Sequence, residues 1–202
     1  MKSNVKRGKP VYLTVIGVAI LLLVLGIEFA TAKGAPIDWL IRTTALAGYF
    51  LVLAAILSSA YMRQMMQFFG RSFIKVHHLA SLIGLAMVTI HPLGVAWKQL
   101  SWRVFIPDVS SVEQFLRLGG RPAWYLLVVA SWVAALRGAI GKRWKLLHYL
   151  NYLAFWLATA HGILIGTNLK SITMRIVFIA LAFIVLLVMI HKRFLSPRPK
   201  KR

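Results

Sequence analysis

What most limits the fold of this chain is where its carboxylates are absent. Six long apolar runs follow one another, at residues 11–30, 39–62, 76–97, 122–140, 146–166 and 172–191, and none has an Asp or Glu near its middle. A helix needs about 20 such residues to cross the hydrocarbon core of a bilayer. Backbone polar groups in hydrocarbon must bond within the chain, which leaves helices or closed barrels. Barrel strands read as segments of about 10 residues with alternating polarity, and these runs do not alternate. The expectation is an all-α membrane protein, a bundle of six transmembrane helices. Residues 1–10 form a basic cytoplasmic N-terminus, 11–191 the helical domain and 192–202 a basic cytoplasmic tail.

Charge orients the bundle. Most of the 25 lysines and arginines fall at the N-terminus, between runs two and three, between runs four and five, and after run six. All four acidic residues, Glu28, Asp38, Asp108 and Glu113, fall on the opposite side. Basic residues collect on the cytoplasmic side of a membrane, so both termini are placed in the cytoplasm. The formal net charge of +21 then reflects anionic lipid rather than nucleic acid. The first run ends in Ala30-Thr31-Ala32, which resembles a cleavage site, but it is long for a signal peptide and reads as an uncleaved anchor. The localisation that follows is a multi-pass integral membrane protein, of a prokaryotic inner membrane.

Several chemistries are excluded. A proton-coupled transporter buries an acidic residue at depth, and none is present. With no cysteine, the chain has no disulfide, no thiolate metal site and no C-x-x-C-H attachment for a covalent heme. It also lacks a glycine fingerprint for a dinucleotide, so any reducing equivalents come from another protein or from quinol. The one long connection, 98–121, lies on the outer side. Ser110-Ser111-Val112-Glu113 has capping-box spacing, and Gly119-Gly120 closes a short interfacial helix.

The chemistry is concentrated in histidine. His191, beside Lys192 and Arg193, is interfacial. The other five lie in runs three and five, which cross in the same direction. Run three begins with His77 and His78 and carries His91; run five begins with His148 and carries His161. Spacings of 14 and 13 residues are about 20 Å of helix, so His77 and His148 share an inner level, and His91 and His161 an outer one. Imidazole is a good axial ligand for heme iron. Two bis-histidine hemes stacked across a bilayer would conduct electrons. A spacing of 14 returns to within about 40° of the starting face and one of 13 misses by about 140°, so either a distorted helix start at His148 or a bend in run five is expected. His77 and His78 compete for the inner role, and phase favours His77. Lone histidines in spans more often serve packing, so a heme-free scaffold or transporter is the contrasting expectation. Propionates need cationic partners: Arg71, Lys75, Arg143 and Lys145 on the inner side, and Lys98, Arg103, Lys170 and Arg175 on the outer.

The string Gly141-Lys142-Arg143-Trp144-Lys145-Leu146-Leu147-His148, followed by Tyr152-Leu153 and by His161, resembles the ferric reductase-like transmembrane domain superfamily. That superfamily includes the membrane cores of NADPH oxidases and ferric reductases. It also includes the heme-binding membrane subunit of the bacterial methionine-sulfoxide reductase system, the MsrQ family, which is the nearest local likeness. MsrQ proteins often carry arginine where His77 and His78 stand; the four-histidine set here is like that of oxidases and ferric reductases. The resemblance implies two b-type hemes, held by His77 with His148 and by His91 with His161. It implies electron transfer from a cytoplasmic flavoprotein, with FMN or FAD, or from quinol, to an extracytoplasmic acceptor. A periplasmic methionine-sulfoxide reductase is the alternative acceptor it implies.

Overall fold

The computed structural model describes residues 34–70 and 72–192, with residues 23 and 26 as isolated helical positions. The first apolar run, 11–30, therefore lies almost wholly outside the described residues, as do Arg71 and the tail from residue 193. The described residues are helical throughout, joined by turns, with no strand among them. They form α1 (Pro36–Ala60), α2 (Met62–Phe69), α3 (Phe73–Gln99), α4 (Val112–Arg117), α5 (Gly120–Ala135), α6 (Arg137–Ile140), α7 (Trp144–His148), α8 (Leu150–Ile165) and α9 (Ile172–Ile190). Three of them, α1, α3 and α9, are long and apolar enough to cross a membrane. A fourth candidate arises if Gly120–Ala135 and Arg137–Ile165, bent by 78° at their break, count as one span.

The chain divides into two compact units, Met1–Gly94 and Val95–Arg202. In the first, Pro36 opens α1 at a position where no N–H is needed, and Asp38 meets the positive end of the helix dipole. Leu46, Tyr49, Phe50, Leu53 and Ile56 are buried along one face of α1. The helix ends at Tyr61, whose φ of −111° and ψ of 23° break the ladder. Against α1 runs α3. A Cβ on Gly48 would stand 2.6 Å from Val88 Cγ1, and one on Gly94 would stand 2.8 Å from Ile41 Cγ1. Real Cβ atoms do not approach so closely, so these glycines allow the two backbones to come together. Hydroxyls along the pair bond within their own helices, as Thr44 does to Leu40 O (2.7 Å) and Thr89 to Leu85 O (2.7 Å).

In the second unit, α5 and α8 are the central pair. Ala123, Leu127, Ala130 and Val133 form the buried stripe of α5, and Ala154, Phe155 and Leu157 belong to the buried part of α8. Ala130 and Ala154 are fully buried; their small side chains let the helices pack closely. α9 packs on α8. It buries only Phe178 and Val185 and turns Ile172, Ile176, Ile179, Phe183, Leu187 and Ile190 outward at helical spacing. An outward stripe without a polar residue suits hydrocarbon, not water.

The sequence-based spans meet these helices unevenly. Runs 39–62, 76–97 and 172–191 match α1, α3 and α9 to within three residues at each end. Run 122–140 instead breaks at Leu136, and run 146–166 breaks at Tyr149. Each break is a shift of ψ toward zero, to 16° and −10°. The remaining 16-residue helices α5 and α8 are each about 24 Å long, short of a bilayer core of about 30 Å.

The connection 98–121 contains the short helix expected there, with its cap corrected by one residue. Ser111, not Ser110, is the N-cap of α4: its Oγ accepts from Gln114 N–H at 3.1 Å. Ser110 instead gives its N–H to Asp108 Oδ1 at 3.0 Å. Hydrogen bonding from the Ser110 side chain, then from its backbone, holds the Asp108 carboxyl below the usual carboxylate range.

Candidate heme-ligand histidines

Four histidines carry the candidate chemistry, two in each unit. α3 carries His77 and His91; α7 ends on His148, and α8 carries His161. In each case Nδ1 faces an oxygen on another element. His91 Nδ1 lies 2.9 Å from Ile41 O on α1. His148 Nδ1 lies 3.0 Å from Ala130 O on α5, and His161 Nδ1 lies 2.7 Å from Arg117 O at the end of α4. A carbonyl oxygen only accepts, so Nδ1 carries the proton in all three rings. The neutral ring then keeps its lone pair on Nε2. His77 Nδ1 faces Ser58 Oγ at 3.2 Å. Ser58 Oγ also lies 3.2 Å from Ala55 O, to which its hydroxyl can donate.

The two neighbouring histidines of α3 differ in their surroundings. His77 is half-buried and bonded to α1, whereas His78 is exposed; their ring centroids are 5.9 Å apart. Near His148 the helix is interrupted: α7 stops there and α8 starts at Leu150, with Tyr149 between them. That is the distorted start, one of the two expectations set by the 13-residue spacing. The Asn151 amide nitrogen lies 3.4 Å from both ring nitrogens of His148, and a metal at Nε2 would displace it.

The residues present fit a heme. Among the described residues no three His, Asp or Glu side chains gather to hold a metal ion. A heme brings four nitrogens of its own and takes only two from the protein. Ligating imidazoles usually donate their second ring N–H to a carbonyl, which orients the ring and raises its basicity. Gly120 packs directly against the His161 ring: a Cβ there would stand 3.0 Å from Nε2 and 2.9 Å from Cδ2, too close for a side chain.

The cationic candidates are less telling. Lys75, Lys98, Arg103, Arg143, Lys145, Lys170 and Arg175 are all exposed. Arg175 Nε donates to Leu169 O at 2.7 Å, so that side chain is spent on the turn before α9. Arg71 lies outside the described residues.

Residues that sequence reasoning passed over are the acceptors. Ser58 was legible as a hydroxyl inside an apolar run. The carbonyls of Ile41, Ala130 and Arg117 leave no mark in a sequence. No protein family, no curated protein and no solved structure matches the chain.

Proposed function

We propose that this protein carries electrons across a membrane through two b-type hemes. They pass from a cytoplasmic flavoprotein or quinol to an extracytoplasmic acceptor, in a six-span bundle with both termini inside. His77 with His148 would hold the inner heme, and His91 with His161 the outer one. The observation that carries this reading is a shared orientation: each imidazole is held through Nδ1 by an oxygen on another element, a backbone carbonyl in His91, His148 and His161 and the Ser58 hydroxyl in His77. That is how a histidine is prepared as a metal ligand.

A heme bound by two imidazoles would supply electron exchange rather than oxygen binding. The chain's residues orient the ligands and keep water away. Ile41, Ala130 and Arg117 hold the rings by their carbonyls. The exposed cations Lys75, Arg143 and Lys145 inside and Lys98 and Arg103 outside would neutralise propionates.

The decisive experiment is the dithionite-reduced minus oxidised spectrum of protein produced with ample heme. A b-type signal is expected, and its absence rejects the proposal in favour of a heme-free scaffold. His91→Ala and His161→Ala should each remove one heme, and His77→Ala and His148→Ala the other.

A further inference from the structure

Where α3 ends, four large apolar side chains are turned away from the protein. Trp97 is 75 % exposed, Leu100 89 %, Trp102 73 % and Ile106 62 %. The backbone that carries them is held in place. Trp102–Phe105 form a 3-10 turn opened by Ser101, whose Oγ accepts from Arg103 N–H at 3.3 Å. Val104 of that turn is buried, and the Phe105 ring meets Trp124 of α5 edge to face at 5.3 Å. Arg121 Nη1, also on α5, donates to Ile106 O at 2.7 Å. The stretch 102–106 is thus pinned to α5, and the fold itself keeps its apolar residues outward. Leu100 gives a second sign. It is left-handed, at φ 50°, in a turn that glycine would form with less strain. A leucine so exposed adds little packing to the fold, so its contact lies outside the chain.

Three observations say what covers this rim. α3 is long and apolar enough to cross a membrane and ends at Gln99, so the rim begins where that helix leaves hydrocarbon. Tryptophan favours that level, with its ring at the apolar edge and its N–H among the headgroups. Between Trp97 and Pro107 the charged residues are Lys98 and Arg103, both exposed and both positive, which matches lipid phosphate. We infer that residues 97–106 seat the protein on lipid. Trp97, Leu100, Trp102 and Ile106 enter the headgroup–acyl boundary of the leaflet at which α3 ends, and Lys98 and Arg103 meet lipid phosphate. The inference rests on the membrane-spanning part of the reading above and is independent of heme.

The test uses the full chain, which has no cysteine of its own, in nanodiscs of phosphatidylcholine with phosphatidylglycerol. A nitroxide is attached at one site at a time, through Leu100→Cys, Ile106→Cys, Glu113→Cys or Leu82→Cys. The readout compares its collisions with oxygen, which concentrates in lipid, and with a water-soluble nickel chelate. Glu113, exposed and charged on α4, is the water reference; Leu82, exposed inside α3, is the lipid reference. Oxygen should dominate at positions 100 and 106 as it does at 82, and nickel at 113. Adding Arg103→Glu should shift the label at 106 toward nickel, because a carboxylate repels lipid phosphate. An unmoved label there overturns the phosphate contact. Nickel dominating at both 100 and 106 overturns the inference, since the rim would then face water and suit a soluble partner. Labels sheltered from both reagents also overturn it, because a second copy of the chain would be the cover. If Leu82 too meets nickel, the spanning reading itself fails and the rim fails with it.

Discussion

A histidine in an apolar helix needs a partner for its N–H, and that partner decides what the other nitrogen offers. In all four candidate ligands the partner is an oxygen on a different element, 18 to 50 residues away in the chain. Ser58 is the one such partner that is a side chain. Loss of an outer-shell partner typically lowers metal affinity by about 10- to 100-fold. Ser58→Ala should therefore weaken inner-heme retention within that range, read by competition for hemin, and leave the outer heme in place. His78→Ala, at an exposed position, should change neither. A loss of inner heme in His78→Ala and not in His77→Ala would reverse the assignment within the pair. The identity and spacing of these histidines were legible in the sequence. The choice between His77 and His78 was only a matter of helical phase there, and the bond to Ser58 adds contact chemistry that phase does not contain.

Among the helices, close packing rests on small residues at defined points. Replacing Gly48 by Ala puts a methyl group 2.6 Å from Val88 Cγ1, and overpacking of this kind costs about 1–3 kcal/mol. Reduced thermal stability of Gly48→Ala in detergent, with heme still bound, is the expected result. The end of α3 gives the opposite prediction. Ser101 N–H bonds Ala96 O and Leu100 N–H bonds Trp97 O, the double closure that usually has glycine at its left-handed residue. Here that residue is Leu100, with φ 50° and 89 % exposed. A left-handed non-glycine costs about 1–2 kcal/mol, part of which glycine gives back as unfolded-chain entropy. Leu100→Gly should stabilise the protein by roughly 0.5–1 kcal/mol in a denaturant melt. Hydropathy located α1, α3 and α9 because a long apolar run is a sum over residues. It missed the breaks at Leu136 and Tyr149 because these are changes of single ψ angles inside runs that remain apolar.

For the whole molecule, orientation in the membrane is open to direct test, because the chain contains no cysteine. A single cysteine can then report its own side. In intact cells, a membrane-impermeant maleimide should label Asp108→Cys and leave Lys142→Cys unlabelled until the cells are permeabilised. The reverse pattern would invert the proposed direction of electron flow. By itself the sequence determined that the chain folds as apolar helices, where its charges fall along them, and that its histidines are spaced 14 residues apart in one run and 13 in another. Those are properties of composition and of spacing along one helix. Only the tertiary structure decided which carbonyl each imidazole meets, where the apolar runs break, and that Gly120 faces the His161 ring. These are contacts between residues far apart in the chain, set by how closely the helices pack.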